Sequence, residues 1–458
     1  MRKTSIYFFC LILSISATQL KAQNCWSPLG SGVTRYNYIT AMTTYNGNLI
    51  AAGQFDSIGG IGTYCIASWD GSSWSPLGSG VSGTFDPYTG TLLVSTLIVY
   101  NGELYAGGQF DSAGGQLVNN IAKWNGSSWS PLGTGILGSS YTVQALAVYN
   151  GALYAGGRFD TAGGITTHNI AKWNGTQWSD IDSGLAGAGV YCLTSFNGVL
   201  CVGGGFSKPS NTSIRNIAVW NDSIWSPLGS GIGGLSGQVT SLVSNQGTLY
   251  GAILYSTNHY PDSLVKWDGN SWSTIAGVTT INNNIGIDAL FPFNNNLIIG
   301  GGFDSIGGVA ANNIAMWNGT SFSEFGGGLS GGFEPQANIF YTFNGYLYAG
   351  GNFTLAGSDS ANSIAEYTCA TDGIHEVSTS YVHVYPNPTT GMINISIDNA
   401  EAGSSVKIYD LLGQKVFQSN ISSDNTSINL SGHAAGSYLY HISGSVGESI
   451  SAGMIIIQ

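Results

Sequence analysis

The chain has 458 residues, of which 68 are glycine, 12% aromatic and only 8% charged, and its 12 lysines and arginines face 24 aspartates and glutamates for a net charge of −12. So much glycine with so little charge excludes a fold of amphipathic helices and fits short strands joined by tight turns, while the acidic balance excludes nucleic acid and anionic membrane as partners. The length exceeds one ordinary core, so two domains or a repeat array is expected.

Residues 1–22 read as an export signal: Arg2 and Lys3, an apolar run over 6–15, and the small residue Ala22 before the cleavage point. No later stretch approaches the roughly 20 apolar residues that a spanning helix needs, so no membrane span is expected in the mature chain. Asn24 before Cys25 is not the small residue that lipid attachment requires. Loss of Arg2, Lys3 and Lys21 takes the net charge from −12 to −15.

From residue 24 to 370 the chain repeats. LYAGGQFDSAGG at 104–115, LYAGGRFDTAGG at 153–164 and LIIGGGFDSIGG at 297–308 stack without gaps. The aromatic marker falls at Phe55, Phe110, Phe159, Phe206, Phe303 and Phe353, with Leu254 as a degenerate copy. Seven units of about 50 residues, built of short strands, predict an all-β, seven-bladed β-propeller. Each unit parses as four strands with two Asn-Gly or Asp-Gly turns, the first at Asn46, Asn101, Asn150, Asn197 and Asn344 and the second at Asp70, Asn125, Asn174, Asp268 and Asn318; both are read as minimal hairpins.

The third strand ends in Trp69, Trp124, Trp173, Trp220, Trp267, Trp317 and Tyr367, which is seven aromatics, but the fourth carries only Trp74, Trp129, Trp178, Trp225, Trp272 and Phe322. The missing partner is Trp26, so strand 24–33 is expected to complete the last blade and close the ring, which removes exposed sheet edges. Cys25 holds the place of Ser128 and Cys369 that of Gly126, positions that flank a turn elsewhere, so a Cys25–Cys369 disulfide is predicted. Cys192 and Cys201 lie diagonally on one hairpin, and their pairing stays open; Cys65 sits where other repeats have Asn120 or Asn169 and reads as a small buried residue.

After a linker at 371–380, strict alternation at Ile393, Ile395 and Ile397 opens residues 381–458, predicted as a small Ig-like β-sandwich with strands in VKIYDLLGQKVFQ, TSINLSG, SYLYHIS and GMIIIQ.

The Gly-Gly pair on the second strand, followed by the third- and fourth-strand aromatics, resembles the kelch and galactose-oxidase-type propellers over residues 24–370. The wording GGxF…GG…NNIAxWNG is similar to bacterial surface repeats. YPNPTTG, with Tyr385, Pro386, Asn387, Pro388 and Gly391, then VKIYDLLGQKV and AAGSYLYHI resemble the type A sorting domain of the Bacteroidetes type IX secretion system. That resemblance implies a partner, the secretion machinery, acting through residues 381–458, and passage through the periplasm to the outer-membrane surface or the medium. The ending SISAGMIIIQ departs from the family by lacking lysines before the last strand.

Chemistry is sparse. The repeats hold two histidines, His168 and His259, about two units apart, too few for a galactose-oxidase-type copper site; no metal and no cofactor is expected. Asp56-Ser57, Asp111-Ser112, Asp160-Thr161 and Asp304-Ser305 follow the second strand, where the carboxylate suits an Asx-turn; one carboxylate per blade falls short of a calcium cage. Asp, then Ser or Thr, then an apolar residue resembles the Bacteroidetes O-glycosylation acceptor, which implies Ser57, Ser112, Thr161 and Ser305 as acceptors, with Ser223, Ser263 and Ser360 as further matches. The long, variable loops form the expected ligand face, with Phe85, Tyr88, Tyr255, His259, Tyr260 and Phe333 as candidate contacts for a glycan or a protein. The function expected is a surface binding or adhesion scaffold without catalysis; the alternative is a carbohydrate-active enzyme using loop acids such as Asp86 and Glu334.

Overall fold

A computed structural model describes residues 25–34, 37–83, 93–138, 142–208, 211–232, 237–255, 262–279, 286–369, 382–385, 389–397, 405–410, 414–421, 425–443 and 449–457. The export signal, the linker 371–380, Phe85, Asp86, Tyr88, His259, Tyr260 and the Pro386–Pro388 part of the sorting motif lie outside them.

The described residues are all-β: small antiparallel sheets and no helix. Seven sheets are built on a four-stranded meander, and the fifth is extended to six strands by a short hairpin of the next repeat. Sheet one runs Tyr38–Tyr45, Asn48–Gln54, Ile66–Trp69, Trp74–Pro76. Sheets two, three and four begin at Leu93–Tyr100, Thr142–Tyr149 and Ala186–Phe196. Sheets five and six begin at Gly237–Asn245 and Gly286–Phe293. Sheet seven takes Gln336–Phe343, Tyr346–Asn352 and Ile364–Tyr367 from one end of the repeats and Trp26–Pro28 from the other. Trp26 stands opposite Tyr367, and Cys25 and Cys369 form a disulfide. The missing turn is replaced at the main chain too: Thr368 N donates to Cys25 O at 2.7 Å, just as Asn125 N donates to Ser128 O at 3.2 Å.

The first strand of every sheet packs against the first strand of the next, and that of sheet seven against that of sheet one. The Gly-Gly pair makes this approach possible. A Cβ on Gly107 would stand 2.5 Å from Val143 Cγ1 of the following sheet, on Gly156 2.4 Å from Val190 Cγ1, and on Gly350 2.7 Å from Ile39 Cγ2. The second glycine answers a different need, because a Cβ on Gly108 or Gly351 would meet the carbonyl of Leu93 or Gln336 at about 2 Å across a bulge in its own sheet.

The tryptophans join sheets as well as filling them. Within a sheet the ring pairs sit 5.1 to 5.5 Å apart, as for Trp69–Trp74 and Trp267–Trp272. Between sheets, the indole N–H of Trp129 donates to Leu77 O at 2.9 Å, that of Trp178 to Leu132 O at 3.0 Å, and that of Trp225 to Ile181 O at 3.3 Å. The indole donors of these fourth-strand tryptophans thus reach acceptors in the preceding repeat.

The two turns of each repeat differ, which corrects the expectation of minimal hairpins at both. The first is a two-residue turn with both residues left-handed, Asn46 at φ 49° and Gly47 at φ 80°. The second is a four-residue loop, since Trp124 pairs with Trp129, and an Asx cap holds it: Asn125 Oδ1 accepts from Ser127 N and Ser128 N, both at 2.9 Å. Asp70, Asn174, Asn221, Asp268 and Asn318 repeat the cap.

Residues beyond 381 form two sheets around one apolar core. Val382–Tyr385, Met392–Ile397 and Asn425–Asn429 make one; Lys415–Asn420, Ser405–Tyr409, Gly436–Ser443 and Ser449–Ile457 make the other. Ile393, Ile395 and Ile428 of the first pack with Val406, Ile408, Ile442 and Ile455 of the second. VKIYDLLGQKVFQ supplies two paired strands of the second sheet.

Candidate functional site

Each glycine-rich loop folds into a short hairpin that reaches back to the preceding sheet. Ser112–Ala113 pairs with Gln116–Leu117 and also with Val81–Ser82, and Thr161–Ala162 pairs with Ile136–Leu137. The aspartate's main-chain carbonyl closes these loops: Thr63 N donates to Asp56 O at 3.0 Å, Val118 N to Asp111 O at 3.0 Å, Thr167 N to Asp160 O at 2.9 Å and Ala311 N to Asp304 O at 2.9 Å. Ser57, Ser112, Thr161 and Ser305 are half-buried, and the apolar residue after each, Ile58, Ala113, Ala162 or Ile306, is fully buried. Strand alternation alone thus explains that apolar residue. Ser223 and Ser360 are exposed, whereas Ser263 is buried.

Behind most of the loops lies an interaction that the sequence pattern did not announce. Asn120, left-handed at φ 68° and buried, accepts from Phe110 N at 3.2 Å through Oδ1 and donates to Ile136 O of the next repeat at 2.8 Å through Nδ2. Asn169 and Asn313 make the same pair of bonds, Asn216 bonds Ile232 O, and Ser363 carries the link across the closure to Asn37 O at 2.8 Å. The recurring NIA triplet was the available signal.

A second set of links runs where the first strands meet. The bulge residues donate to the neighbouring sheet: Thr40 Oγ1 to Val94 O at 2.6 Å, Thr240 Oγ1 to Ile287 O at 2.9 Å, and Asn338 Nδ2 to Ile39 O at 3.3 Å. In sheet six the bulge residue is Asp288, which stands in a water-accessible position enclosed by protein; burial and the charge of Asp262 raise its pKa to about 6. Asp262 is itself buried, accepts from Tyr255 N at 2.7 Å, and is raised to about 6 by burial.

Of the candidate contacts, Tyr255 and Phe333 lie among the described residues. Tyr255 is half-buried at the end of the second strand of sheet five, where its N–H caps Asp262. Phe333, 70% exposed, precedes the first strand of sheet seven. Its loop is held firmly: Asn352 Nδ2 donates to Phe333 O at 2.7 Å and to Glu334 O at 3.1 Å, and the exposed Glu334 is left-handed at φ 48°.

Among the described residues no three His, Cys, Asp or Glu side chains converge as a metal site, and no helix is long and apolar enough to cross a membrane. Cys65, Cys192 and Cys201 are free thiols. Burial pushes Cys65 up to about 11 and Cys201 up to about 12, and raises Cys192 as well, so all three stay protonated and unreactive at neutral pH.

Residues 383–458 match the family model of the secretion system C-terminal sorting domain. A type IX sorting tail is thus present, and it marks the chain for the cell surface or the extracellular space. The chain is 38% identical over 61 residues to beta-agarase A of Zobellia galactanivorans, a match that spans 13% of this chain and 11% of that protein. Among solved structures, PorZ, described as a surface component of the type IX secretion system of Porphyromonas gingivalis, aligns over 92% of this chain and 65% of its own, with 13% identity and a TM-score of 0.39. The extracellular domain of a putative hybrid two-component system of B. thetaiotaomicron aligns over 94% of this chain and 59% of its own, with 11% identity and a TM-score of 0.48.

Proposed function

We propose that residues 24–370 form a seven-bladed, kelch-like β-propeller, exported through the type IX system, that serves as a non-catalytic binding or adhesion scaffold for a glycan or a protein. The sorting-domain match over residues 383–458 carries this reading, because it sends the chain to a surface where contact with other molecules is the available task. The seven meanders, the contact of the seventh with the first and the Cys25–Cys369 bond support a stiff closed ring. Residues 381–458 act as a detachable Ig-like sandwich that contacts the secretion machinery.

Loops on one face, including the clamped Phe333, supply the contacts, with the exposed ring suited to stacking on a sugar. Ser57, Ser112, Thr161 and Ser305 are proposed acceptors of O-linked glycans, where partial exposure leaves their hydroxyls within reach. The likeness to an agarase spans too little of either chain to bring agar hydrolysis with it.

Intact mass of the secreted protein reads signal removal, loss of the sorting domain and glycan addition together; retention of a chain truncated before residue 381 inside the cell is expected. A glycan array and a whole-cell adhesion assay then test binding. Release of oligosaccharides from a polysaccharide by the purified protein would replace this reading with the enzymatic one.

A further inference from the structure

The outer strands of six of the seven sheets end in one of two ways. Four reach a proline two residues after their tryptophan, at Pro28, Pro76, Pro131 and Pro227. Two reach an acid at the same place, Asp180 and Glu324, after strands of two and three residues. Both devices blunt an edge, since proline has no N–H to offer a new strand and a carboxylate repels an incoming one.

Sheet five is the exception among the described residues. Thr274 stands where the others have proline or an acid, and the strand runs on for eight residues, Trp272–Thr279. The two-residue glycine turn that follows WSPLG elsewhere is absent here, so the chain continues straight into Val278 and Thr279, which pair with Ser305–Ile306. On its inner side the strand pairs with Ser263–Trp267, regularly over Trp272–Thr274 and with a bulge at Ile275. Among the described residues no strand lies on the outer side of Trp272–Ala276, and Ser273 and Thr274 are exposed there. Proline at this position in four sheets shows that its main-chain nitrogen points away from the inner neighbour; Thr274 therefore presents an outward N–H.

We infer that this edge is an interface with a second copy of the same chain, the two Trp272–Ala276 segments pairing antiparallel about a twofold axis. An antiparallel pair exchanges N–H and C=O groups from both members, so one segment supplies what its copy needs. Charge argues for self-pairing here: no residue from Trp272 to Thr279 is charged, in a chain whose net charge is −12, so two copies meet at the place that brings no carboxylates together. In the other six sheets of the repeats this position is closed to such contact by proline or by acid.

The test is the mass in solution of the full chain and three variants, by sedimentation. Wild type and Thr274→Ala, which keeps the N–H, are expected at twice the chain mass. Thr274→Pro, which copies four sibling sheets, and Thr274→Glu, which copies Glu324, are expected at the single-chain mass with the wild-type circular dichroism spectrum. A wild type at single mass throughout the accessible concentration range overturns the inference. So does a doubled mass in either blocking variant that keeps the wild-type spectrum, and the second variant decides if the first fails to fold.

Discussion

Asn120 ties two repeats together through Ile136, whose carbonyl accepts from Asn120 Nδ2 at 2.8 Å while Phe110 N donates to Asn120 Oδ1. Cys65 occupies the corresponding place before Val81, buried and left-handed at φ 65°, and a thiol in that place has neither an amide donor nor a carbonyl acceptor to offer. Asparagine tolerates that backbone better than cysteine does. Cys65→Asn should therefore stabilise the chain by about 1 kcal/mol, and Asn120→Leu should cost about 2 kcal/mol by leaving Phe110 N and Ile136 O unpaired. Denaturant melts of the two variants check both signs; a destabilised Cys65→Asn would show that the thiol packs better than the amide bonds.

Lys208 supplies another missing link. In five junctions a glycine N–H of the loop donates to a glycine carbonyl of the preceding repeat, as Gly114 N does to Gly80 O at 2.9 Å and Gly163 N to Gly135 O at 2.8 Å. The fourth repeat has no such glycine pair, and Lys208, 3% exposed, donates from its ammonium to the equivalent Gly184 O at 3.2 Å and to the main-chain carbonyl of Asp182, whose carboxylate it also pairs. Lys208→Met should lower stability by about 2 kcal/mol through the two abandoned carbonyls, with little change in stem packing. Thermal melts against a Lys123→Met control, taken from the half-exposed Glu103–Lys123 pair, separate this buried role from a surface ion pair, for which a loss under about 1 kcal/mol is expected.

These two cases mark how far the sequence could be read. The first Asn-Gly turn of each repeat, the paired tryptophans and the partners Cys25 and Cys369 are local or periodic signals, and they were legible because one repeat predicts the next. What passed unseen lies between repeats: Asn120 was visible only as a recurring letter, and Lys208 only as a break in a pattern. Residue spacing carries no record of a bond to a carbonyl in another sheet. Asp262 and Asp288, 26 positions apart, were silent for the same reason. Of the proposed ligand face, Phe333 is exposed, but its clamp by Asn352 depends on tertiary contact that no local pattern encodes.

The closing disulfide spans 344 positions, and its removal is expected to cost most of any single change. On the chain-entropy account a loop of this length contributes up to about 6 kcal/mol. Cys25→Ser with Cys369→Ser leaves the Trp26 strand held by three residue pairs and the Trp26–Tyr367 ring contact. Melting under reducing conditions should reproduce the double variant, and limited proteolysis should cut first near residue 25. An unchanged melting temperature would show that the strand holds without its covalent tie.

Asp262 gives stability a pH dependence of known sign. Its pKa is raised by burial to about 6 in the folded chain against an ordinary carboxylate value near 4, so the unfolded chain releases its proton first. Stability is unaffected below about pH 4, falls as pH rises towards 6, and stays low above. The two-unit gap corresponds to about 3 kcal/mol. Asp288 shifts in the same direction, but its access to water moderates its share. Asp262→Asn, which keeps an acceptor for Tyr255 N, should raise the melting temperature at pH 7 and leave it nearly unchanged at pH 4. Equal effects at both values would contradict the assignment.

Gly391, the last residue of YPNPTTG, is where the sorting motif meets a physical constraint. Its φ is 128°, a conformation that side chains rarely adopt, and a Cβ would stand 2.7 Å from Ser431 Cα and 2.8 Å from Ser431 Cβ. The main chain cannot retreat, because Gly391 N donates to Thr389 Oγ1 at 3.0 Å and Leu430 N donates to Gly391 O. Gly391→Ala should therefore destabilise residues 381–458 by about 2 kcal/mol or more while leaving the repeats intact. If secretion reads the folded shape of this domain, the variant accumulates in the periplasm with its sorting tail attached; cell fractionation against wild type measures the ratio. Secretion at the wild-type rate, with the domain shown to be unfolded by proteolysis, would mean that the machinery reads the linear motif instead.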